Sequence, residues 1–119
     1  MSIHTVTQTI TGAATGYLGS RINGKVLAIK CDANTNANLT VVITGETSEI
    51  PILTAAGVTK DAVTWFYPRA LANHNDDGAA ATDVCVEVPV LDERIKAVVS
   101  VAATGTTALT VYYETSSPY

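Results

Sequence analysis

The side chains able to do chemistry are few and scattered. The chain holds two histidines, His4 and His74, and two cysteines, Cys31 and Cys85. Structural zinc draws its ligands from short spacings such as Cys-x-x-Cys or His-x-x-x-His, and no such pair occurs here. Nucleophilic catalysis needs a Ser or Cys held against a His that a third group orients. There is no Gly-x-Ser-x-Gly elbow, and both histidines fall in edge or loop segments. The adjacent carboxylates Asp76-Asp77 and Asp92-Glu93 sit in expected turns. Hydrolytic carboxylate pairs usually come from facing segments, whereas turn neighbours point separately into solvent. The reading is therefore no catalytic residue, no metal ligand and no cofactor.

Two glycine-containing segments need closer inspection. Gly19-Ser-Arg-Ile-Asn-Gly24-Lys25 matches seven positions of a phosphate-binding loop. The eighth is Val26, where a hydroxyl must hold magnesium, and the segment leads into a β-like run, not a helix N-terminus. It reads as a glycine-rich connection. Asn73-His-Asn-Asp-Asp-Gly78 places oxygen ligands at alternate positions before a glycine, as a calcium loop does. It lacks Asp at the first position, and Val84 stands where the bidentate Glu belongs. A solvated turn is expected. Asp32-Ala-Asn-Thr-Asn36 is weaker still, because Ala37 replaces the required glycine.

Composition narrows the class. The chain has 119 residues, enough for one domain spanning 1–119 with its own core. Apolar residues make up 47% and charged residues 15%, which excludes a disordered tail. The net charge is −4 and no basic stretch exists, so no nucleic-acid partner is expected. The first residues show neither a basic nor an apolar signal region, and no long apolar run suggests a membrane helix. No membrane partner is expected. Cys31 follows Leu27 and Ile29 on one strand face and reads as a buried thiol. Cys85 shares parity with Asp83 and Glu87 and reads as facing the polar side, so a bridge between the two is not expected.

Val, Ile and Thr together number 40 residues, and these β-branched types favour strands. Period-two alternation marks strands at 1–11, 25–31, 39–44, 50–54, 63–67, 83–88, 94–102 and 107–115. Gly12 to Gly24, with four glycines, reads as a loop. So does Arg69 to Thr82, while Ala55 to Ala62 holds either one helical turn or a loop. Leu91 to Arg94 reads as a turn. Turns every 8–12 residues and no long helical pattern indicate an all-β fold. The expected form is an antiparallel two-sheet β-sandwich of seven or eight strands, jelly-roll or Greek-key-like. Residues 1–11 form an N-terminal strand or arm.

The one dense aromatic cluster is Trp65-Phe-Tyr-Pro-Arg69. Val63, Trp65 and Tyr67 share one face, and Thr64 and Phe66 share the other. One face feeds the core. The opposite face, with Arg69, is a candidate anchor for a partner, because aromatic and Arg side chains dominate interface energetics. Tyr112 and Tyr113 are adjacent in a strand and must point to opposite sides. The candidate interface residues are Ile3, Thr5, Thr7 and Thr9 of the N-terminal strand with Phe66, Arg69, Tyr113 and Tyr119.

An ordered series of segments carries a resemblance. It runs Gly24-Lys-Val-Leu-Ala-Ile-Lys30, then Asn38-Leu-Thr-Val-Val-Ile-Thr-Gly-Glu46, then Ile50-Pro-Ile-Leu53. Trp65-Phe-Tyr-Pro-Arg69 and Val90-Leu-Asp-Glu-Arg-Ile-Lys96 follow, and a Thr-rich strand closes it. From Gly24 to Glu114 the chain resembles the small β-rich head accessory proteins, of capsid decoration or cement type, of tailed bacteriophages. The resemblance implies a non-enzymatic virion protein made in the host bacterial cytoplasm. It would sit on the capsid surface, bridge major capsid protein subunits and self-associate on the shell. A phage tail or baseplate protein and a carbohydrate-binding β-sandwich are the alternatives.

Overall fold

The computed structural model describes residues 2–73, 80–100 and 104–115. Eight strands lie among these residues, and no helix occurs among them. They are β1 (Ser2–Thr11), β2 (Ala14–Thr35), β3 (Leu39–Gly45), β4 (Pro51–Val58), β5 (Ala62–Phe66), β6 (Arg69–Asn73), β7 (Ala80–Ser100) and β8 (Gly105–Thr115). Every pairing is antiparallel. The strand order is β1-β8-β2-β7-β3-β4, with β5 added to β2 and β6 to β7. The all-β antiparallel expectation is therefore met, by one continuous hydrogen-bonded network.

β2 is the spine of that network. Residues 14–26 pair with β7 and residues 25–35 pair with β8, while β5 joins at residues 29–33. The buried side chains alternate along it: Leu18, Ile22 and Val26, then Ile29, Cys31 and Ala33. The step from Val26 to Ile29 breaks the period of two. Val26 pairs with Tyr113 and Ala28 with Tyr112, so Leu27 is an extra residue, a β-bulge. β7 repeats the device. Val88 and Val90 are buried, then Glu93, Ile95, Ala97 and Val99. Asp92 is the residue skipped between the pairs Ile22–Glu93 and Asn23–Leu91, and its φ is 52°. Each bulge bends its strand while the apolar set stays on one face.

One core results. Leu39, Val41 and Ile43 of β3 join Leu109 and Val111 of β8 and the inner residues of β2 and β7 in a single cluster. Burying each such side chain is worth roughly 1.5–3 kcal/mol against exposure. β1 contributes the buried Ile10 and the partly buried Val6, so it is a strand of the sheet and not a free arm.

Four local expectations need correction. Gly12 to Gly24 is not a loop, for β2 runs through it. Its glycines permit close approach: a Cβ on Gly24 would lie 2.2 Å from the Glu114 carbonyl oxygen, and one on Gly16 would lie 2.9 Å from Ile10 Cγ1. The phosphate-loop look-alike is thus extended strand. Leu91 to Arg94 is not a turn but the β7 bulge. Arg69 to Thr82 contains β6 and the start of β7, which pair with each other. β4 continues to Val58, and the chain turns at 59–61, with Asp61 at φ 50°. In each case long-range pairing satisfies backbone groups that a local reading would leave to solvent.

A buried hydroxyl tests the packing. Thr107 is fully buried in β8 opposite Ile10 and Ala33, and its Oγ1 has no hydrogen-bond partner. Burying an unpaired hydroxyl costs about 1–3 kcal/mol. Thr107→Val keeps the shape and removes that cost. Urea unfolding of this variant should show a higher midpoint at unchanged slope, a gain of about 1 kcal/mol.

Candidate interaction surface

The outward side of β1, β8, the second half of β2 and β5 forms one four-stranded face. Its registry follows from the pairings. Thr7, Thr110, Lys30 and Trp65 stand in one row across the strands. Thr9, Ala108, Asp32 and Val63 form the next, and Thr5, Tyr112 and Ala28 the row on the other side. Thr11, Thr106 and Asn34 form a further row at one end. Short threonines thus fill the β1 and β8 side, and aromatics gather toward β5.

Side-chain contacts bind the rows together. Thr7 Oγ1 and Thr110 Oγ1 are hydrogen-bonded at 3.1 Å. The Trp65 and Tyr112 rings lie 5.5 Å apart, tilted by 37°. Lys30 Nζ sits 5.8 Å from the centre of the Trp65 ring, a cation–π contact. The exposed large apolar side chains here are Ile3 at 66%, Tyr67 at 65%, Val63 at 51% and Trp65 at 44%.

The structure divides the expected interface residues. Ile3, Thr5, Thr7 and Thr9 are exposed together on this face. Phe66 is not part of it: it is half-buried against the core, and the outward side of β5 carries Val63 and Trp65 instead, with the exposed Tyr67 just past its end. The reason is registry. Phe66 pairs with the buried Ile29 and Trp65 with Lys30. Tyr113 likewise points inward, packed on the core and stacked on His4 at 5.5 Å, whereas its neighbour Tyr112 faces outward. Arg69 is exposed, but its Nη1 donates to the Leu27 carbonyl at 3.1 Å and to the Pro68 carbonyl at 2.6 Å. It secures the bulge rather than standing free. Tyr119 lies outside the described residues, as do His74 and most of the calcium-loop look-alike.

A second cluster lies where the β3–β4 turn meets β7. Glu93 is buried, and its Oε1 accepts the Thr47 N–H at 2.7 Å and the Ser48 N–H at 2.8 Å. Asp92 points away, with an exposed contact to Arg21 at 3.5 Å. The two carboxylates do take separate directions, but Glu93 is buried, and its Oε1 holds a turn. Arg94 completes the attachment with a two-pronged pair to Glu46, and its guanidinium carbon lies 4.3 Å from the Tyr17 ring centre. The Glu46 hydrogen bond raises the Arg94 pKa further, so it is charged at every working pH. These contacts explain themselves as a structural clamp. Glu93 was missed because its sequence position beside Asp92 resembles a solvent turn; the bulge that turns it inward leaves no local signal.

Cys31 is a free, fully buried thiol. Burial, with the nearby Asp32 charge as the smaller cause, pushes its pKa up to about 11. The native state therefore holds the thiol proton more tightly than the unfolded chain does. Its contribution to stability is complete below the ordinary thiol pKa and is lost as pH rises through about 11. Cys31→Ala should flatten the alkaline limb of the stability profile. In the native protein at neutral pH, mass-mapped alkylation of Cys31 should proceed no faster than global unfolding.

Among the described residues, no three His, Cys, Asp or Glu side chains converge as a metal site would require. Comparison of the chain with protein-family models, with curated proteins and with solved structures finds no match.

Proposed function

We propose that this chain is a non-enzymatic structural protein of a bacteriophage virion, which docks on the capsid through the outer face of β1, β8, β2 and β5. In this reading the continuous sheet doubles over at the two bulges into a β-sandwich. One layer is β1-β8-β2-β5, using the second half of β2. The other is the first half of β2 with β7, β3 and β4. The closeness of Gly16 to Ile10 supports the doubling, since it brings the first half of β2 against the inward side of β1.

The observation that carries the docking reading is the composition of the outer face. Threonine loses little rotamer freedom when immobilised, so an ordered threonine array costs little entropy on docking. Trp65, Tyr67 and Tyr112 supply the large, rigid side chains that anchor interfaces. At about 4.8 Å between strands and about 3.4 Å per residue, β1, β8, the second half of β2 and the shorter β5 present roughly 600 Å². A standard interface buries about 800 Å² on each partner. One copy would hold weakly, and many copies on a repeating shell would gain by avidity. The phage resemblance in the segments from Gly24 to Glu114 supplies the partner, the major capsid protein.

A second reading has a specific observation in its favour. The half-exposed Trp65 ring, beside Tyr112 on an exposed sheet, offers an aromatic surface of the kind that stacks against a sugar ring. This would make the chain a carbohydrate-binding module.

Trp65→Ala separates these from a structural role, since the side chain is half exposed and its loss should leave circular dichroism unchanged. Binding to purified heads lacking the protein should weaken at least tenfold, about 1.4 kcal/mol. Unchanged binding to heads would contradict the docking face. Binding of the wild type to a glycan array, with none to heads, would favour the second reading.

A further inference from the structure

Sheet edges with unpaired backbone groups invite other strands, and proteins usually block them. The terminal strands of this fold carry such blocks, with one exception. β4 holds Pro51, two breaks of register against β3 and Gly57 at φ 69°. β5 is only five residues long, between Lys60-Asp61 and Pro68. β6 is equally short and begins with Arg69. The free side of β2's first half is interrupted by Gly19 at φ 66°, by a register break and by Arg21. β1 differs from all of these. It has ten residues, paired with β8 in ten consecutive steps without a bulge. It contains no Pro, Lys, Arg, Asp or Glu. Among the described residues β8 is its one hydrogen-bonded partner.

We infer that β1 pairs with β1 of a second copy of this chain, antiparallel and about a two-fold axis. Three features favour a copy over an unrelated strand. First, antiparallel pairing about a two-fold sets a strand opposite itself, so the match in length and pattern is automatic. Second, the chain carries −4 net charge, and two copies repel least where they meet at a neutral segment, which keeps their charges apart. β1, which holds no Lys, Arg, Asp or Glu, is such a segment. Third, the exposed side of β1 is Ile3, Thr5, Thr7 and Thr9, and pairing brings threonines opposite threonines. Cross-strand Thr–Thr pairs are favourable in sheets, and Thr7 with Thr110 already forms one at 3.1 Å. The exposed Gln8 side-chain amide now donates to the Thr9 carbonyl at 3.2 Å, a contact that water or a neighbouring strand replaces readily.

The dimer continues the outer face through eight strands and doubles its area, but it does not depend on the docking reading. It is tested on the isolated full-length chain, without capsid or glycan. Sedimentation over a concentration series should show a monomer–dimer equilibrium. Residue-resolved hydrogen exchange should show the β1 amides not bonded to β8 gaining protection as the dimer fills. Thr5→Lys with Thr9→Lys places like charges across the new pair on exposed positions. This variant should shift the equilibrium to monomer with an unchanged strand spectrum; should it fail to fold, the wild-type exchange data decide alone. A monomer at every concentration would overturn the inference. So would a dimer whose β1 amides exchange as in the monomer, or a folded lysine variant that dimerises as before.

Discussion

β2 changes partners midway without stranding its backbone, and most of the molecule follows from how it does so. Its first half is hydrogen-bonded to β7 and its second half to β8 and β5. A buried amide or carbonyl left unpaired at the changeover would cost as much as a lost hydrogen bond. The fold meets this with an extra residue, Leu27, whose carbonyl accepts from Arg69. Arg69 is in place because the chain leaves β5 after Phe66, passes through Tyr67-Pro68 and enters β6 at Arg69. The side chain proposed from sequence as a partner anchor is therefore part of the joint on which two strand systems meet. Gly24 completes that joint by leaving room for the end of β8.

The same joint determines what the outside looks like. Because Leu27 is skipped in the ladder, Ile29, Cys31 and Ala33 continue the buried face, and Lys30 and Asp32 fall outside. That choice carries across to β5, where Trp65 stands next to Lys30 and Phe66 next to Ile29. It carries to β8 as well, where Tyr112 is outward and Tyr113 inward. An aromatic step on one half of the face and threonine rows on the other thus share one cause. The docking reading rests on this composition, and the buried Cys31 shows the opposite environment one residue from Lys30.

Much of the fold was legible in the residues. β-branched content and period-two alternation indicated an antiparallel all-β chain. The alternation of Leu39, Val41 and Ile43 placed β3 correctly, and the neighbours of Cys31 indicated its burial. The misreadings share a physical origin. The glycines of 12–24 read locally as a loop, whereas they mark crowding by strands distant in sequence. Asp92-Glu93 reads locally as a turn, whereas a bulge sends one carboxylate out and the other in. The choice between Phe66 and Trp65, or Tyr113 and Tyr112, depends on register against β2, and alternation alone cannot supply it: both faces of those strands carry aromatics. The exposed face of β1 was legible because its alternation is unbroken.

The central claim is that residues 14–35 are one strand, integrated along their whole length into a single core. Native-state hydrogen exchange tests it most directly. The amides of 14–24 that bond to β7 should exchange only through global unfolding, with the same free energy as the β2 amides bonded to β8. Fast exchange through 14–24, with protection confined to 25–35, would mean that the glycine-rich segment is a loop after all, and the spine described here would be wrong.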